Sequence, residues 1–253
     1  MPTADDTKVV DILSDLVNHP PTPPMSATPP SSQLQIRIFY GSIPVHTEYL
    51  DCKNGCRIFS SEESLPPSAS WQEDEKMIRF FGPPEAKNIT LPDNHPQSCA
   101  RDIFNAMRRG VLIEASDGNV YVTPLCRTVV YCGSSSTELA QPLEKEVRSK
   151  VFDYRNHFRP ALEHYALVHS QSPTPYVILG LGQNWGRGRH VTQNLISIVI
   201  THAQARHEID AIGLTHAVTQ DLLIDLPDSV MIDQPNSFDM EAEAFLNNHG
   251  IQV

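Results

Sequence analysis

Residues 108–131 read RRGVLIEASDGNVYVTPLCRTVVY. Two apolar runs, VLIEA (111–115) and VYVT (120–123), flank Asp117-Gly118. An Asp-Gly pair between such runs predicts a two-residue β-hairpin, because both central positions need positive φ. Upstream, QSCARDIFNAMRR (97–109) places Ala100, Ile103, Phe104 and Met107 on one helical face, and Gly110 stands where a carboxy cap belongs. Downstream, LCRTVVYC (125–132) continues the strand pattern. A helix that runs into hairpin-linked strands is the signature of an α+β domain.

The rest of the chain agrees. LQIRIFY (34–40) alternates with Leu34, Ile36 and Ile38 on one face, Gly41-Ser42 breaks it, and IPVHTEYL (43–50) returns. CRIF (56–59) is a third strand, and MIRFF (77–81), in a Ser-, Pro- and acid-rich stretch, is expected to be another. A helix is predicted over 153–168, with Pro160 tolerable in its first turn. YVILGLG (176–182) and LISIVI (195–200) read as buried strands. A helix over 201–213 carries Ala205, Ile209 and Ile212; LLIDL (222–226) reads as a late strand, and 237–248 as a last helix. The predicted architecture is a β-sandwich with flanking α-helices. Ahead of it, residues 19–33, HPPTPPMSATPPSSQ, cannot build a core and read as a linker. Residues 1–17 hold only a short acidic helical pattern, with Val9, Leu13 and Leu16 on one side. Two regions follow: 1–33 as tail and linker, 34–253 as the folded domain.

Composition narrows the function. With 30 acidic and 19 basic residues the net charge is −11, so the overall field repels phosphate backbones and direct nucleic-acid binding is not expected. The five cysteines lack zinc-site pairing and read as reduced, partly buried thiols of an intracellular protein. No signal-peptide pattern or apolar membrane span is present. GLGQNWGRG (180–188) is rich in glycine, but a strand follows it where a dinucleotide site needs a helix, so it reads as a flexible interstrand loop. His202 and His207 lack the metalloprotease arrangement, and no Gly-x-Ser-x-Gly elbow occurs. No catalytic residue, cofactor or metal ligand is therefore assigned.

IRIFYGSIPV (36–45), GCRIF (55–59), RRGVLIEASDGNVYVTPLCRTVVY (108–131), EKEVRSKVFD (144–153), LGLGQNW (179–185) and NLISIVI (194–200) occur in one order. This ordered set resembles the carboxy-terminal association domain of the interferon regulatory factors. The resemblance implies a sandwich similar to the carboxy-terminal domain of SMAD proteins (a SMAD/FHA-like fold). It also implies dimerisation, recruitment of other interferon regulatory factors or transcriptional coactivators in innate immune signalling, and residence in nucleus and cytoplasm. The competing assignment is a phosphopeptide-binding adaptor of the same sandwich class. The family's DNA-binding domain carries regularly spaced tryptophans; here only Trp71 and Trp185 are present, so DNA binding is not expected of this chain.

Some family members carry a late Leu-x-Ile-Ser switch whose serine is phosphorylated. The matching run here is Asp221-Leu222-Leu223-Ile224-Asp225, with Asp225 in the serine's place. An aspartate supplies about one negative charge where a phosphate carries nearer two. Of the basic surface that receives the phosphate, the matching strand retains only Arg127, with Arg148 and Lys150 close to another basic position. For the association surface the apolar faces of two helices are the candidates: Phe158, Leu162 and Tyr165 on one, Phe238, Phe245 and Leu246 on the other. Amphipathic helices normally turn such faces inward, so the core is the rival location for each.

Overall fold

The computed structural model describes residues 28–61, 74–92, 100–168 and 171–223. Chain order is β1 (Gln33–Tyr40), β2 (Ile43–Asp51), β3 (Cys56–Phe59), α1 (Glu75–Phe81), β4 (Lys87–Thr90), α2 (Ala100–Ala106), β5 (Val111–Ser116), β6 (Asn119–Pro124), β7 (Val130–Gly133), β8 (Gln141–Pro142) and β9 (Ser149–Phe152). A π-helical turn (Tyr154–Phe158) then leads into α3 (Arg159–Val168), followed by β10 (Tyr176–Leu181), β11 (Ile196–His202) and α4 (Ala203–Leu223). The strands form a six-stranded sheet, β2-β1-β11-β10-β7-β8, and a five-stranded sheet, β4-β3-β5-β6-β9. Every pairing is antiparallel except β3 with β4.

The period-2 pattern decides which face of each strand is buried. Leu34, Ile36 and Ile38 of β1 meet Leu179, Ile198 and Ile200 of the central strands, and this layer packs on Ile58, Val111, Ile113, Val120 and Val122 of the other sheet. Each such side chain contributes about 1.5–3 kcal/mol when fully buried. The hairpin turn is as expected: Asp117 and Gly118 have φ 54° and 78°, and Ser116 pairs with Asn119. At the sheet edge, β2 follows β1 with a bulge between Ile38 and Phe39, which puts Pro44 opposite Phe39. Proline removes a ladder donor and is accommodated at such an edge.

Four expectations are corrected. MIRFF is the helix α1, because Asp74 caps it, accepting from the Lys76 amide at 2.9 Å, and Gly82, at φ 78°, ends it. The buried Arg57 anchors that corner, donating to Asn88 Oδ1 (3.1 Å) and to the Pro83 carbonyl (3.0 Å); burial pulls its guanidinium down to about 10. Of LCRTVVYC only residues 130–132 are strand, the first three of β7. Residues 222 and 223 belong to α4, which runs past the expected end at 213, so LLIDL does not begin a strand. GLGQNWGRG is a packed loop: Trp185 is 1% exposed and its indole donates to the Ser135 carbonyl at 2.8 Å. Two of its glycines serve close approach, since a Cβ on Gly180 or Gly186 would stand 2.6 Å from the Gln183 oxygen or 2.5 Å from Leu139 Cα. The pattern at 1–17, Trp71 and the helix expected over 237–248 lie outside the described residues. None of the described helices is long and apolar enough to cross a membrane.

Gly110 joins α2 to β5 at φ 74°, and a Cβ there would lie 2.3 Å from the Ile58 carbonyl oxygen. Gly110→Ala is expected to destabilise the domain by about 3 kcal/mol in urea unfolding, since strand β3 must move. Gly188→Ala, at φ 88° but in open space, should cost about 1 kcal/mol. Equal losses at the two sites would refute the contact with β3.

Candidate association surface

The β5–β6 hairpin sets the geometry of a basic hollow. Val111 pairs with Pro124, so residues just before β5 lie beside residues just after β6. Two hydrogen bonds pin that end: Leu125 N–H to the Gly110 carbonyl and Arg127 N–H to the Ala106 carbonyl, each 3.0 Å. The result is a hollow of about 380 Å³ lined by Ala106, Arg108, Arg109, Arg127 and Lys145. Arg109 is fixed by Glu146 at 3.2 Å and lies over the Phe80 ring at 5.3 Å. Glu146 takes a left-handed φ of 60° while its amide donates to the Pro124 carbonyl at 2.8 Å. That strained turn holds Lys145 against the end of β6. Arg127 makes only a long contact, 3.5 Å, to the Asn105 carbonyl, and its guanidinium is exposed.

Of the three basic residues expected to receive a charge, only Arg127 lies here. Arg148 donates to Glu114 at 2.9 Å and stacks 3.5 Å above the Tyr121 ring. Lys150 pairs with Asp153. Both sit along the β6–β9 pairing, where their charge is already matched. Arg108, Arg109 and Lys145 are the cations that line the hollow with Arg127. Phe158 and Leu162, expected at an interface, are 4% and 5% exposed in the sandwich core, and Tyr165 packs half-buried against it. The π-turn begins the helix with Tyr154 and Phe158 facing inward, so the apolar stripe is spent on the core. What α3 shows to solvent is Leu167, 80% exposed, and Val168. Asp221 and Leu222 fall in the last turn of α4; Ile224, Asp225, Phe238, Phe245 and Leu246 lie outside the described residues.

The attachment of α4 depends on His202. Its Nδ1 accepts from the Ala205 amide at 3.1 Å, capping the helix. Its ring stacks on Phe152 (5.3 Å) and Tyr154 (5.2 Å). Tyr154 donates to Glu208 at 2.5 Å and accepts from Gln204 at 2.9 Å, which ties the π-turn to α4. Burial pushes His202 down to about 4. Lys150, with the Asn156 amide, holds the Asp153 carboxyl below the usual carboxylate range. Burial raises the Cys126 and Cys132 thiols to about 11 and about 12. Among the described residues no three His, Cys, Asp or Glu side chains are gathered as metal ligands.

A family model described as "Interferon-regulatory factor 3" matches residues 31–212. Human interferon regulatory factor 8 is 26% identical over 185 residues, covering 72% of this chain and 42% of that protein. Human interferon regulatory factor 5 is 20% identical over 188 residues, covering 70% and 36%. The chain thus spans about two-fifths of the length of these curated relatives. Among solved structures, the IAD domain of interferon regulatory factor 9 superposes with TM-score 0.52 at 17% identity, over 75% of this chain and 92% of that one. A chain from the crystal structure of STAT2 in complex with interferon regulatory factor 9 gives 0.52 at 17% identity, over 71% and 96%. At that identity the likeness establishes the sandwich fold.

The burial of His202 predicts an acid transition. A histidine near 4 when folded and near 6.5 when unfolded takes up its proton only in the unfolded chain between those values, so stability is full above about 6.5 and falls as pH drops toward 4. The loss is about 3 kcal/mol over that window. Urea unfolding at pH 7 and pH 4.5 should show it, and His202→Gln should flatten it. An unchanged slope in that variant would assign the acid loss to other groups.

Proposed function

The chain belongs to the interferon regulatory factor family, and from that premise we propose that it is a protein–protein association module of a transcription regulator. It forms homotypic or heterotypic dimers and recruits transcriptional partners in innate immune signalling. It works in nucleus and cytoplasm, and acts by binding rather than catalysis. The observation that carries this reading is the hollow at the open end of the β5–β6 hairpin. In a chain of net charge −11, four cations converge there. Such a site suits an acidic or phosphorylated segment, through charge-assisted hydrogen bonds. The interferon regulatory factor 9 neighbour is named in a complex with STAT2, and a protein of that kind is one candidate heterotypic partner.

Asp225 stands where switching relatives have a phosphorylated serine. In this reading it gives a partner copy a permanent carboxylate for the Arg108–Arg127 hollow, so association needs no kinase. The apolar residues Phe238, Phe245 and Leu246, beyond the described part of α4, contribute to the same contact.

Sedimentation of the full unphosphorylated chain is expected to show a reversible dimer. Arg108→Glu with Arg127→Glu should raise its dissociation constant by about tenfold or more, because each lost charged hydrogen bond is worth about 1.5–3 kcal/mol. Asp225→Ala should weaken it several-fold. A monomer at all concentrations that also ignores association domains of other family members would overturn the proposal. A dimer indifferent to both sets of substitutions would overturn the role of the hollow.

A further inference from the structure

The other end of the same hairpin carries a second, larger hollow. It has a volume of about 740 Å³ and is lined by Ser31, Ser32, Lys53, Ser116, Asp117 and Arg155, among others. Among the described residues Asp117 is the only acid on its wall, and Ser116 Oγ already donates to it at 3.4 Å. Neither Lys53 nor Arg155 is ion-paired with a described residue. In so acidic a chain, two unmatched cations facing one hollow mark an unused anion site.

Backbone hydrogen bonds fix which hydroxyl stands at its rim. Gln33 pairs with Asp51, and the Cys52 amide donates to the Ser32 carbonyl at 2.9 Å, which is the last rung of the β1–β2 ladder. Beyond it the chain turns at both ends, and Ser31 and Lys53, one in each turn, line the same hollow. The Gln33 amide donates back to the Pro30 carbonyl at 2.9 Å, closing a turn that fixes Ser31 at the rim. Ser31 is exposed, so its hydroxyl is open to an enzyme. Arg155 comes from the π-turn, next to Tyr154, which stacks on His202.

We propose that Ser31 is a phosphorylation site and that Lys53 and Arg155 receive its phosphate. A protein kinase would transfer the γ-phosphoryl group of a nucleoside triphosphate to Ser31 Oγ. The new O–P bond replaces the bond to the β-phosphate, the hydroxyl proton passes to the kinase, and the diphosphate leaves. The added charge of about −1.5 to −2 pairs with both cations. This bridges the entry to β1, the β2–β3 turn and the π-turn, and so fixes the Ser31 turn against the sandwich. The inference stands independently of the association reading.

The test is the full chain with phosphoserine installed at position 31 by codon reassignment, compared with the unmodified chain. The melting temperature is expected to rise by about 2–4 °C. Phosphorus NMR should place the second phosphate ionisation at least about half a unit below the free value near 6. Both effects should vanish in Lys53→Ala/Arg155→Ala, whose own melting should match the unmodified chain because both side chains are exposed. A phosphate titrating as in a free peptide, without a gain in melting temperature, would rule out the receiving site. Mass spectrometry of the chain recovered from animal cells under phosphatase inhibition should find phosphate on Ser31, and its absence there would rule out the modification.

Discussion

The pairing of β1 with β11, Leu34 with His202 through Tyr40 with Ile196, is the constraint on which the remaining structure depends. It joins the first strand to the last across the whole domain and puts both in the middle of the six-stranded sheet. Closing so long a loop is entropically costly and is compensated only when the second sheet covers the shared face. The same pairing brings the entry of the chain beside the start of α4. His202 thus does two jobs, as the last β11 partner of Leu34 and as the cap of a helix. The stacked rings of Phe152 and Tyr154 carry that junction to the other sheet.

Much of this was legible in the sequence. The alternation of β1, the Asp117-Gly118 turn and the apolar runs of β10 and β11 each specify one local structure, and each is found. MIRFF failed because five residues are too short to separate periods of 2 and 3.6. Asp74 and Gly82, which decide for helix, were readable as caps but lie outside the run. The 153–168 stripe was read correctly as apolar, yet periodicity cannot say whether such a face meets the core or a partner. Phe158 and Leu162 meet the core.

The basic hollow was partly legible. Arg127 came from the family pattern, whereas Arg108 and Arg109 follow from hairpin register alone: once Val111 faces Pro124, the residues flanking the pair must converge. Arg148 and Lys150 were close in sequence but project from another pairing, against Glu114 and Asp153. Gly180 and Gly186 were the hardest to read, because their reasons are tertiary: backbone and side-chain atoms of Leu139, Gln183 and Asn194 fill the space where a Cβ would be.

The bulge and Pro44 on β2 have a consequence for solubility. A long outer strand with regular unpaired amides invites strands from other molecules to extend the sheet. Here the ladder slips at Ile38/Phe39 and a donor is missing at Pro44. Further along, Glu48 and Asp51 place carboxylates on the same strand. Sheet-to-sheet growth into aggregates is therefore disfavoured along β2, the longest outer strand among the described residues.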